Sequence, residues 1–175
     1  LATLTPSVTG SPNRGPAVQV PIITGAISLA YNPAGLSVPP SGLRLSRRTY
    51  CGILNGAITN WNSADITRDN GRQVAPNLPI RVVRRSDNSG TTFNLSNHLN
   101  TVCRNLAPTN FNWSRGVGQQ VNWPSTFLSA QGGSGLVRLV GSTRGSIGYA
   151  DESTRLSAGR TTTARALLAN QSGNF

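Results

Sequence analysis

Apolar and polar positions alternate in short blocks along this chain, and the blocks predict strands and helices in turn. From Val18 the run VQVPIITGAISLAYN is β-branched and apolar, broken at Pro21 and Gly25, so it predicts one long bent strand or two consecutive strands. The turn-rich NPAGLSVPPSG follows. Ser46 then precedes RRTYCGILNG, in which Tyr50, Ile53 and Leu54 recur at helical spacing; Ser46 is the expected cap and Gly56 the stop. The polar stretch around Trp61, Asp65 and Asp69 predicts a loop with a single helical turn. LPIRVV predicts a strand bounded by Pro79, and SGTTFNLSNHLNTV predicts a helix with Phe93, Leu95, Leu99 and Val102 on its apolar side. Asn112 to Pro124 is irregular, with Trp113 and Trp123 as core anchors. GSGLVRLVGST predicts a helix, GSIGYA a short buried strand, and TARALLAN a further helix or strand.

Strands alternating with helices indicate an α/β layered fold. At 175 residues, one domain is the default, large enough to bury a core without metal or cofactor. Residues 1–17, rich in Pro, Gly, Ser and Thr, form an expected extended arm ahead of an α/β unit over residues 18–175. No apolar run approaches the roughly 18 residues of a membrane span. No basic n-region followed by an apolar h-region opens the chain, so an export signal is expected to be already removed or never present.

Charge narrows the choice of ligand. Sixteen basic residues face five acidic ones for a formal +11, and every basic residue is Arg. Such a surface concentrates anions: phosphate, nucleic acid or an anionic surface. Most of the Arg are scattered, clustering only as Arg47-Arg48 and Arg84-Arg85, as solvated residues would be. Aromatic RNA-binding motifs, zinc fingers and basic heptads are absent, which leaves nucleic-acid binding without support beyond net charge. Cys51 and Cys103 lack the spacing of a redox or zinc pair. They predict a disulfide in an exported protein, worth about 4 kcal/mol on the chain-entropy model, with two buried free thiols as the alternative.

One segment carries chemistry. R-V-V-R-R-S-D-N-S-G-T-T-F joins a strand to a helix through a short polar loop. The first helical turn has amides without intrahelical partners and sits at the positive end of the macrodipole, so an oxyanion is a natural ligand there. Ser89 and Thr91 add hydroxyls, and Gly90 leaves the backbone open to close approach. Arg85 offers a forked pair of donors, and Asp87 is placed to hold its guanidinium. The competing assignment makes Ser89 an ordinary helix cap, Asp87-Asn88 a turn and Arg85 a surface ion pair. Groups for catalysis are scarce. His98 lies within an amphipathic helix as a surface or packing residue, Asp151 and Glu152 would point to opposite faces of a strand, and no His/Cys cluster offers a metal site.

At these residues the chain resembles a family. RRSDNSGTTF is similar to the phosphate-binding loop of the substrate-binding proteins of phosphate ABC transporters. The resemblance continues through CGILNGAITNW, LPIRVVRRSD, VNWP, TRGSIGYAD and ALLANQSGNF, in that family's order, from Val18 to Phe175. Cys51 and Cys103 resemble the cysteine pair of its secreted DING-type branch. The resemblance implies phosphate ligation by Arg85, Ser89, Gly90 and Thr91, with Asp87 orienting Arg85, and neither cofactor nor catalysis. It implies a periplasmic or extracellular location and an ABC transporter permease as partner. Its fold is the periplasmic-binding-protein type II arrangement, two α/β lobes closing on the ligand. This chain looks like the second lobe alone, a mixed, mostly parallel sheet flanked by helices, with the two inter-lobe crossing segments at its ends. The other lobe's Ser at a helix start and its proton-accepting Asp match no segment here. The expectation is therefore weak affinity unless a second lobe, or another copy of the chain, completes the clamp. An exported assembly protein built on the same lobe, with phosphate binding weak or lost, is the alternative.

Overall fold

The computed structural model describes residues 25–170 and 172–175, so the arm expected over 1–17 and the start of the first expected strand lie outside the described residues. Strand β1, Ile27–Tyr31, is the part of that strand found within them. After the short β2, Arg44–Leu45, helix α1 runs from Arg47 to Asn55. Its ends follow local chemistry. Ser46 Oγ accepts from the Thr49 amide, and Gly56 closes the helix at φ 84°, a left-handed conformation that a Cβ would strain. The helix buries Tyr50, Cys51, Ile53 and Leu54.

Helix α2, Ala64–Asn70, replaces the loop with one helical turn. Ser63 caps it, Asp65 lies in its first turn, and Gly71 ends it at φ 66°, signals outweighed in the sequence by its polarity. Ile66 and the neighbouring Trp61 are fully buried, so packing rather than periodicity stabilises this segment.

Strand β3, Arg81–Arg85, leads through Ser86–Ser89 into α3, Gly90–Val102. Trp113 and Trp123 are buried core anchors 5.4 Å apart, as their isolation in a polar stretch predicts. Strand β4, Leu128–Ala130, then leads directly into α4, Gly132–Ser142, followed by β5, Ser146–Asp151, and α5, Glu152–Gly159. Neither β4 nor α5 was legible: three residues are too few for a period, and ESTRLSAG carries a weak apolar face. The final segment forms two short strands, β6 (Ala164–Arg165) and β7 (Leu167–Leu168), not a helix.

The strands make a mixed five-stranded sheet of order β4-β3-β5-β1-β6 and a β2-β7 pair. β3 runs parallel to both β4 and β5, β2 runs parallel to β7, and β1 is antiparallel to β5 and β6, so three of the five pairings are parallel. Residues alternate between faces along β5. Gly148 faces α4, and a Cβ there would come within 2.8 Å of Leu136 and 2.9 Å of the Val83 carbonyl oxygen. Tyr149 faces the opposite layer, where its ring stacks on Trp123 at 5.8 Å.

Parallel register has one consequence for chemistry. Arg85 lies opposite Ala130, and Val83 opposite Gly148, so β3, β4 and β5 end along the same edge. The carboxyl edge of parallel strands is where open α/β sheets receive ligands. Here it brings together Arg85, the start of α4 and Asp151.

Candidate functional site

Ser89 is in extended conformation, and its Oγ accepts from the Thr92 amide at 3.2 Å, so it caps α3 as the competing assignment required. Its own amide donates to the Gln119 carbonyl at 3.1 Å, and its carbonyl accepts from Phe93 at 3.0 Å. Capping does not use up the turn. Among the described residues the Gly90 and Thr91 amides meet no protein acceptor. Ser89, 4% exposed, keeps its hydroxyl proton to donate. Gly90 is exposed, and a Cβ there would meet nothing within 4 Å. Neither packing nor backbone strain therefore calls for glycine at this position.

Arg85 leaves the end of β3 with its side chain 14% exposed. Nε donates to Asp87 Oδ1 at 2.7 Å and Nη2 to Asp87 Oδ2. Asp87 Oδ1 also accepts from the Gly132 amide at 3.0 Å, so the first amide of α4 helps hold the carboxylate that holds the guanidinium. The Arg85 hydrogen bond, followed by the Gly132 amide, keeps the Asp87 carboxyl far below the usual carboxylate range. The same ion pair pushes the Arg85 guanidinium upward. One edge of the fork is committed to Asp87; Nη1, which has no protein acceptor among the described residues, remains on the other.

Tyr149 bolts this strand end to the helix start. Its hydroxyl accepts from the Arg85 amide at 3.2 Å and lies 2.7 Å from Thr92 Oγ1. No local feature around Tyr149 marks it for that role. Nor does any such feature place Asp151, whose Oδ2 accepts from Thr91 Oγ1 at 3.1 Å across 60 residues of chain. Asp151 and Glu152 do part company, Glu152 turning to Arg155 at 2.6 Å. Sequence spacing holds no signal for such contacts; they arise from the common strand edge.

His98 packs instead of joining the site. Its Nε2 lies 3.2 Å from the Tyr50 hydroxyl, the rings are stacked at 6.0 Å, and burial pushes its pKa down. Nine residues along α3 from Ser89, at 1.5 Å per residue, place it about 13 Å away, beyond reach as a base for that hydroxyl. Cys51 and Cys103 are joined in a disulfide with Cα atoms 5.7 Å apart, tying α1 to the C-terminal cap of α3.

A model of the PBP superfamily domain matches residues 6–173. The chain belongs to the PBP superfamily. Phosphate-binding protein PstS 2 of Mycobacterium tuberculosis is 35% identical over 152 residues, covering 83% of this chain and 38% of that protein. A phosphate-binding protein of Stenotrophomonas maltophilia, solved by crystallography, superimposes with a TM-score of 0.65 at 27% identity over 94% of this chain and 44% of that one. A DING protein shares the fold at a TM-score of 0.61 and 22% identity, over 86% of this chain and 40% of its own. The chain thus spans less than half the length of these relatives. One PBP lobe accounts for the parallel strand edge, with its helix starts, on which the candidate residues lie.

Proposed function

We propose that this lobe binds inorganic phosphate without turning it over, at the edge where β3 and β5 end and α3 begins, for capture or uptake. The observation that carries the proposal is the set of uncommitted donors. The Gly90 and Thr91 amides and Arg85 Nη1 have no protein acceptors among the described residues, while Asp87 fixes the guanidinium from its other edge. Ser89 adds a hydroxyl proton. Prepaid orientation of such donors favours an anion over water, since little freedom is lost when it binds.

The names of the relatives support phosphate as the anion and binding as the role. The disulfide supports an oxidising location, periplasmic or extracellular. Among the described residues no helix is long and apolar enough to cross a membrane. Residues 18–175 would be the second lobe of a two-lobed clamp, with the crossing segments at its ends. A permease of an ABC transporter would receive the loaded clamp. A lone lobe supplies part of the donor set, so affinity rises when a second lobe or another copy of the chain closes over the ligand.

The test is a titration of the 15N-labelled chain with inorganic phosphate, following the Gly90 and Thr91 amide resonances, with Arg85→Ala and Gly90→Leu alongside. A Cβ at position 90 meets nothing within 4 Å, so the variant is expected to keep its fold and fill the space above the amide. Saturable shifts in the wild type that both variants lose are expected. Equal shifts in all three rule the site out.

A further inference from the structure

Two arginines end β3, and the proposed site uses the second of them. Neighbouring residues of a strand face opposite sides of the sheet. Arg85 faces α4, where a Cβ on Gly133 would come within 3.9 Å of its Nη1. Arg84 faces the layer of Tyr149, whose hydroxyl lies within electrostatic reach of its guanidinium. Nη1 of Arg84 turns along the strand to donate to the Arg85 carbonyl at 3.2 Å, and its Nε is buried with no acceptor among the described residues. No carboxylate pairs with it. The chain has five acidic residues, all of them described: Asp65, Asp87 and Glu152 are paired with other arginines, Asp69 accepts from the Ser46 amide and Asp151 from Thr91. A guanidinium partly withdrawn from water, with neither a counter-ion nor a full set of hydrogen bonds, destabilises the fold that holds it.

The charges around the proposed site show what an unpaired cation does there. Asp87 is bound to Arg85, and Asp151 lies within electrostatic reach of the same guanidinium. One guanidinium facing two carboxylates leaves the neighbourhood negative, and an arriving phosphate would be repelled. Arg84 brings the two signs level. We infer that Arg84 is an affinity-determining residue that touches no ligand atom: its unpaired charge offsets the second carboxylate, so that the donors of Gly90, Thr91 and Arg85 meet an anion without net repulsion. The inference rests on the proposed function and adds a residue to it. Because the charge is partly buried, salt screens it less than it screens the arginines of the open surface. Its removal relieves the free chain and weakens the loaded one, a split that a residue serving structure alone does not produce.

The experiment compares the 15N-labelled 175-residue chain with Arg84→Met, which keeps an unbranched stem and removes the charge, and Arg84→Lys, which keeps the charge and loses the fork. Each is titrated with sodium phosphate at pH 7 while Gly90 and Thr91 are followed, and each is unfolded in urea without phosphate. The expected result is that Arg84→Met binds phosphate about tenfold more weakly than wild type, whereas Arg84→Lys stays within about threefold of it. The loss in Arg84→Met persists at about 150 mM NaCl, and its stability without phosphate equals or exceeds that of wild type. Arg84→Gln replaces Arg84→Met if the latter does not fold. A neutral variant that binds as tightly as wild type overturns the inference and leaves phosphate binding standing. So does a Lys variant that loses as much affinity as the neutral one, or a neutral variant whose stability falls in step with its affinity. A wild type whose Gly90 and Thr91 amides do not respond to phosphate overturns both the inference and the proposed function.

Discussion

Glu152 shows how single ionisable residues hold this lobe together. Arg155 donates to both its oxygens, Nε at 2.8 Å and Nη2 at 2.6 Å, and Arg165 stands 3.8 Å away. The Arg155 hydrogen bonds hold the Glu152 carboxyl at about 2, below its ordinary value of 4.5. A carboxyl depressed on folding contributes stability above the unfolded value, and that contribution is lost as pH falls toward the folded one. Between pH 4.5 and about 2, the wild type therefore loses stability that Glu152→Gln never had. Urea unfolding at pH 5 and pH 3 checks this. The variant should be the less stable of the two at pH 5, and the gap should narrow at pH 3. Asp87 acts in the same direction, but its partner Arg85 belongs to the proposed site, so its removal would mix stability with binding.

Among the elements, α3 depends on its cap, its burial and a cross-link more than on its own propensity. α3 begins with Gly, Thr and Thr and contains three Asn and a Ser within Gly90–Val102, a composition poor in strong helix formers. What steadies it is the cap at Ser89, the burial of Leu95 and Leu99, and the disulfide at its C-terminal end. Reduction of Cys51–Cys103, separated by 52 residues, should cost about 4 kcal/mol of stability on the loop-entropy model. Chemical denaturation with and without reductant measures it. Because α3 carries the Gly90 and Thr91 amides, phosphate binding should weaken with the reduced protein at temperatures where its helix frays.

On the scale of the whole molecule, the acids are spent internally. Asp65 pairs with Arg48 and Arg68, Asp87 with Arg85, and Glu152 with Arg155, while Asp69 accepts from the Ser46 amide and Asp151 from Thr91. The formal +11 is thus carried by Arg outside those pairs. Such a field draws anions toward the surface over distances of a Debye length. Association of phosphate should slow on the order of tenfold between roughly 10 mM and 150 mM NaCl. Dissociation, governed by short contacts at the strand edge, should change little; stopped-flow or relaxation measurements separate the two rates.

Local signals in the sequence determined the elements whose ends and periods are written in neighbouring residues. Ser46 and Gly56 around α1, Val82-Val83 in β3, the Ser89-Gly90 helix start and the Arg85–Asp87 pair all needed no more than a few residues of context. The polar α2 and the three-residue β4 were obscure because packing, not pattern, creates them. Only tertiary structure decided that Tyr149, Gly132 and Asp151 stand beside Arg85 and Thr91. Those residues meet because three parallel strands end on one edge, and strand order is settled by long-range burial that no local spacing records.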